Sequence, residues 1–170
     1  MAGESIFSAS VTDFLSDVPR EYPAAGNTGG GQVVGTSGTI EIAATTEIEA
    51  TDMLHLVVLP VNARLLSLKI GNDDLGGTLT ADVGTYTTAS TPVAVDANAI
   101  ATAHSFSTAA GLTEVLGGDA APLALHGGTL WELSGVAANP GGSYIVALTV
   151  VTSTTPAIGT ISWSILYTID

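Results

Sequence analysis

Residues 53–86 read MLHLVVLPVNARLLSLKIGNDDLGGTLTADVGTY, and the punctuation of this stretch decides the fold. Three apolar or alternating runs are separated by a Pro60-Val-Asn-Ala corner and by the turn Asn72-Asp-Asp-Leu-Gly-Gly, which is the pattern of consecutive β-strands. Met53 to Leu59 is apolar on both faces apart from His55, as expected of a central strand or one covered by another subunit. Pro60 has no backbone donor and ends it. Leu65 to Ile70 is expected to turn Leu66, Leu68 and Ile70 inward and Ser67 and Lys69 outward. Leu79, Ala81 and Val83 then alternate with Thr80 and Asp82, and the intervening turn is short enough for a hairpin.

The same period of two extends in both directions. Ile40 and Ile42 alternate with Thr39 and Glu41, Ala43 to Thr46 reads as a bend, and Glu47-Ile48-Glu49 reads as a second short half-solvated strand. Downstream, Thr91 to Val95 is a candidate strand, and Asp96 is placed to cap a short helix in the Ala-rich ANAIATA. Ser105 to Ser107 and Thr113 to Leu116 are further candidate strands, and Asn139-Pro-Gly-Gly is a strong turn signal. Tyr144 to Thr152 is β-branched and apolar on both faces, while Ile161, Trp163, Ile165, Tyr167 and Ile169 alternate with small polar residues apart from Leu166. Short strands at regular spacing with turns between them predict an all-β fold, an antiparallel β-sandwich. Its order, jelly-roll or immunoglobulin-like, stays open.

Residues 1–38 differ and read as an extended N-terminal arm and Gly-rich tether ahead of a sandwich domain at 39–170. Phe7, Val11, Phe14, Leu15 and Val18 recur at helical spacing, and Ser10 to Asp13 fits a capping pattern, so a helix of one or two turns is expected before Pro19. Five of the residues from Gly26 to Gly35 are Gly, which leaves that segment little power to fix its own conformation. An apolar stripe on such a tether has to bury itself, either on its own sandwich or on a neighbour. The sequence leaves both open.

The 170 residues suit one core, and the absence of Cys leaves that core to packing alone. Sixteen carboxylates against Arg20, Arg64 and Lys69 give a formal charge of −13. Such a surface repels phosphate, which argues against nucleic acid and anionic membranes as partners. The first residues lack a basic n-region and an apolar run after it, so no secretory signal is expected. No apolar run approaches the ~20 residues that span a bilayer.

No constellation reads as catalytic. His55, His104 and His126 do not stand at metal-ligand spacing. Asn72-Asp73-Asp74 offers hard oxygens but lacks the rest of a calcium loop, and turn chemistry accounts for the same residues. No nucleophile elbow or phosphate loop is present. Trp131 and Trp163 could form a sugar-stacking platform, although Trp163 lies on the apolar face of a clean alternation and reads as core. The sequence therefore assigns no catalytic, cofactor-binding or metal-binding residue.

The succession NARLLSLKI, NDDLGG, TADVGTY, Asp96-Ala-Asn-Ala, LWELSG and a last strand ending Tyr-Thr-Ile-Asp resembles virion structural proteins of tailed bacteriophages, and more narrowly the small capsid decoration or cement proteins. The resemblance covers about residues 50–170 and rests on strand and turn patterns. It implies a non-enzymatic β-sandwich on the outside of the head, commonly trimeric, that clamps the major capsid protein and stabilises the shell. Under that reading the arm residues Ile6, Phe7, Val11, Phe14 and Leu15 are the expected contact with shell or neighbour. A head-fibre or tail β-domain and a carbohydrate-binding module are the alternatives.

Overall fold

A computed structural model describes residues 5–7, 32–43, 48–75, 78–116, 127–153 and 158–169, with only the backbone of the first three. Among them nine strands form two sheets, ordered β1-β3-β8-β5-β6 and β2-β9-β4-β7. The strands are β1 (Ser5–Phe7), β2 (Val33–Ile42), β3 (Met53–Pro60), β4 (Ala63–Asn72), β5 (Thr80–Thr87), β6 (Ala94–Ser105), β7 (Ala110–Glu114), β8 (Ser143–Thr152) and β9 (Gly159–Ile169).

The pairings settle the strand order. β2 pairs with β9, β3 with β8, β4 with β7 and β5 with β6, all antiparallel. The chain is thus one long hairpin whose strands pair from the ends inward. The hairpin is then rolled, so that β9 also meets β4 and β8 also meets β5. That is a jelly roll, not an immunoglobulin order. β1 adds to it in parallel beside β3, with Phe7 opposite His55.

Alternation explains the core. Ile161, Trp163, Ile165 and Tyr167 of β9 lie beside Ile70, Leu68 and Leu65 of β4, and they join the β3 and β8 residues Leu54, Leu56, Leu148 and Val150 of the other sheet in one continuous cluster. β3 carries an extra residue between His55 and Val57, so Leu56 and Val57 both join this core. Its other face contributes Val58 to a second cluster with Tyr86, Ile145 and Ala147 on the outside of the five-stranded sheet. The doubly apolar strands β3 and β8 are therefore buried on both sides.

Several expectations change. β4 and β5 do not form a hairpin, because they lie in opposite sheets. Their connection is tied down instead of projecting: Asp73 N donates to Thr160 O at 3.0 Å, Thr160 N donates to Asp73 Oδ2 at 2.9 Å, and Leu75 is buried. Leu66 points outward, not inward. A bulge between Leu65 and Ser67 shifts the register against β9, which buries Leu65 and leaves Leu66 exposed. Glu114 holds that bulge, accepting from Leu68 N at 2.8 Å, Leu116 N at 3.2 Å and Ser67 Oγ at 2.5 Å.

The Ala-rich segment after Asp96 is part of β6, not a helix; pairing with β5 overrides the helix propensity of its alanines, a local preference that tertiary contacts readily outweigh. Asp96 still accepts from Asn98 N at 3.2 Å, a local turn inside an irregular strand. Ile48 and Glu49 lie outside any strand, in a turn where Glu49 N donates to Asp52 Oδ2 at 2.8 Å. β2 starts at Val33, within the stretch read as tether. Phe7 closes β1 and does not begin a helix; the remainder of that expected helix lies outside the described residues. Leu130–Leu133 forms one helical turn, capped by Thr129, whose N and Oγ1 each donate to Glu132 Oε2 at 2.8 Å. Those two bonds, with Arg64 adding to them, lower the Glu132 carboxyl below its ordinary range.

Candidate functional site

Those residues singled out for chemistry that the structure describes serve the fold. His55 sits on the outward side of β3, fully buried, and desolvation lowers its pKa to about 4. His104, in β6, stands edge-on to Phe106 with ring centres 4.9 Å apart, and burial lowers its pKa too. His126 lies outside the described residues. Asn72 Nδ2 donates to the carbonyls of Asp73, Phe106 and Thr108 at 2.6, 3.2 and 3.0 Å, so this side chain clasps the loop after β6 against the end of β4. No group of three His, Asp or Glu able to hold a metal occurs among the described residues.

The two tryptophans do not share a surface. Trp163 is 1% exposed, with its indole edge stacked over Gly38. Trp131 is half-buried against the main core, its backbone N bonded to Val61 O at 3.1 Å. A two-ring sugar platform is not formed. Arg64 donates Nη1 to the Gly127 carbonyl, and Lys69 stands opposite Glu114 in the β4–β7 ladder.

What remains as a candidate site is interaction surface. On the outer face of the four-stranded sheet, β2 presents Gly35, Ser37 and Thr39 beside Leu166, Ser164 and Ser162 of β9. Side chains there are short, and the face is low and nearly uncharged along these two strands. Leu66 and Leu166, 42% and 41% exposed, stand above it, with Leu166 Cδ2 only 3.2 Å from where a Cβ on Gly35 would lie. The bulge shows in the structure as Leu65 and Leu68 both buried at a spacing of three, because strict alternation would place them on opposite faces. Of the expected arm residues, Ile6 and Phe7 belong to β1, on the edge of the chain's own β3. Val11, Phe14 and Leu15 lie outside the described residues.

A rolled hairpin of eight strands plus an added edge strand defines a class of architecture shared by viral shells and by binding modules. No family model matches the chain, and no curated protein matches it in sequence. Two solved structures share the fold. A chain in the structure titled "Capsid of Ralstonia phage GP4" is similar with a TM-score of 0.65 and 19% identity, over 98% of this chain and 98% of that one. A chain in "Cyanophage Pam1 capsid asymmetric unit" is similar with a TM-score of 0.53 and 21% identity, over 91% and 96%.

Proposed function

We propose that this protein is a non-enzymatic structural component of a phage virion, one that binds the outer surface of the capsid and stabilises the assembled head. The observation that carries the reading is the match along 98% of both chains to a chain of the Ralstonia phage GP4 capsid structure. The partner is the major capsid protein, and the protein acts as a homo-oligomer, a trimer in this reading. A ligand that binds only the assembled state stabilises it by mass action, and many copies make a modest single contact sufficient. A charge of −13 suits an outward position away from packed DNA.

The arm is assigned the shell contact. β1 roots it on the β3 edge, and Val11, Phe14 and Leu15 follow directly in sequence. The test is co-sedimentation of the full chain with undecorated heads, with bound copies counted and the heads heated afterwards. Many copies spread over the shell and a raised disruption temperature are expected. A few copies at one vertex would instead indicate a tail or head-fibre component. A full-length Val11→Ser, Phe14→Ser, Leu15→Ser variant should keep the β-rich circular dichroism of the wild type and lose the heads; undiminished binding removes the arm from the interface.

A further inference from the structure

We infer that the outer edge of β2, which pairs with no other described strand, is a joint between copies of this chain, pairing antiparallel with β2 of a second copy. Among the described residues the two sheets have four edge strands, and three of these carry a device that blunts strand addition. β1 is only three residues long and parallel to its neighbour. β7 has five residues. β6 is broken by three register shifts against β5 and holds Ala103 at φ 50°. β2 has none of these devices. It runs ten residues in unbroken register with β9 and, among the described residues, pairs with no other strand. VVGTSGTIEI contains no Pro, Lys or Arg, the residues that ordinarily protect an edge.

The occupant follows from charge and symmetry. Two copies of a chain with net charge −13 repel each other, and β2 is a strip carrying a single charge, Glu41, along which that repulsion is least. Antiparallel pairing of identical strands is closed by a two-fold axis. With that axis at Ser37, Glu41 stands opposite Val33 and Gly35 opposite Thr39, so acid never faces acid. The two four-stranded sheets then continue as one, and Val33, 56% exposed in the single chain, gains a cross-strand neighbour. The pairing does not depend on whether a capsid is the larger partner.

The test uses the full chain in solution. In an antiparallel edge strand, alternate amides face the neighbour and the free side, so of Thr36→Pro and Ser37→Pro one removes a bond to β9 and the other removes only an outward donor. Sedimentation of the wild type should show the mass rising toward twice its low-concentration value as the protein approaches the ~1 mM range. The proline variant that retains wild-type circular dichroism should stay at the lower mass. Hydrogen exchange of the wild type provides a readout that needs no variant: amides within 33–42 should gain protection with concentration. A wild type that never changes mass, or exchange in 33–42 that is indifferent to concentration, overturns the joint. A folded proline variant that still associates does the same. So does one that loses only head binding, because the edge would then belong to a shell strand.

Discussion

Replacing Gly84 with Ala tests how closely β6 is laid over β5. A Cβ at Gly84 would stand 2.2 Å from the carbonyl carbon of Ala97 and 2.3 Å from the carbonyl oxygens of Ala97 and Asp96. Carbon atoms in ordinary contact are ~3.5 Å or more apart, so the obstructing atoms have to retreat by more than ~1 Å. They are backbone atoms and cannot rotate aside as a side chain would. Overpacking of this kind costs about 1–3 kcal/mol, and displacing β6 weakens backbone bonds to β5 worth ~1 kcal/mol each. The lower entropy of the unfolded alanine chain offsets up to ~1 kcal/mol. Gly84→Ala is therefore expected to lower stability by about 2–3 kcal/mol in urea unfolding followed by tryptophan fluorescence. Gly111→Ala is the control, since a Cβ there meets nothing within 4 Å, and it should be neutral or slightly stabilising. If the two variants unfold at the same midpoint, or Gly84→Ala falls within ~0.5 kcal/mol of wild type, the close crossing of β6 is wrong.

Trp163→Ala, which empties the largest fully buried side chain, should cost about 3–5 kcal/mol by the same unfolding measurement; a loss below ~1 kcal/mol would mean that the ring is not core. Because the folded pKa of His55 is about 4, well below its ordinary 6.5, the unfolded chain binds more protons between those values. Stability from this site is complete above pH ~6.5 and is lost by about 3 kcal/mol as pH falls to ~4, so a His55→Met variant should show a flatter stability profile across that window, and an unchanged slope would contradict the burial. Glu114→Ala leaves the partly buried Leu68 N–H without its carboxylate and should cost about 1–3 kcal/mol, with faster amide exchange at Leu68; unaltered exchange there would show that the bulge stands without Glu114.

Burial periodicity was legible along single strands. Tyr144 to Val150 and Ile161 to Ile169 occupy the positions their side-chain patterns imply, and Trp163 is core because it falls in phase with Ile161 and Ile165. The Asn139 to Gly142 turn is likewise local: Gly141 N donates to Asn139 Oδ1 at 2.8 Å, and Gly141 and Gly142 take φ of 72° and 81°. The exposed leucine at 66 and the strand at 94–105 were not legible. A bulge is one extra residue that shifts phase without altering composition, and alanine carries no strong preference against a strand that a neighbour is ready to pair.

By itself the sequence determined that this chain is a β-sandwich, with its Val, Ile and Leu core divided between strand faces, an acidic surface and no placed catalytic group. A period of two states which side of a strand faces inward, and that information is local. It does not state which strand lies alongside, and only the tertiary structure decided that. β2 meets β9 through partners such as Glu41 and Thr160, whose side chains bond at 2.7 Å across 119 positions of chain. The same long-range pairing turned the Asn72 to Gly77 hairpin into a crossing between sheets. Among the described strands it also made β2 an edge, because whether a strand has one neighbour or two is a property of the assembled sheet and of no residue in it.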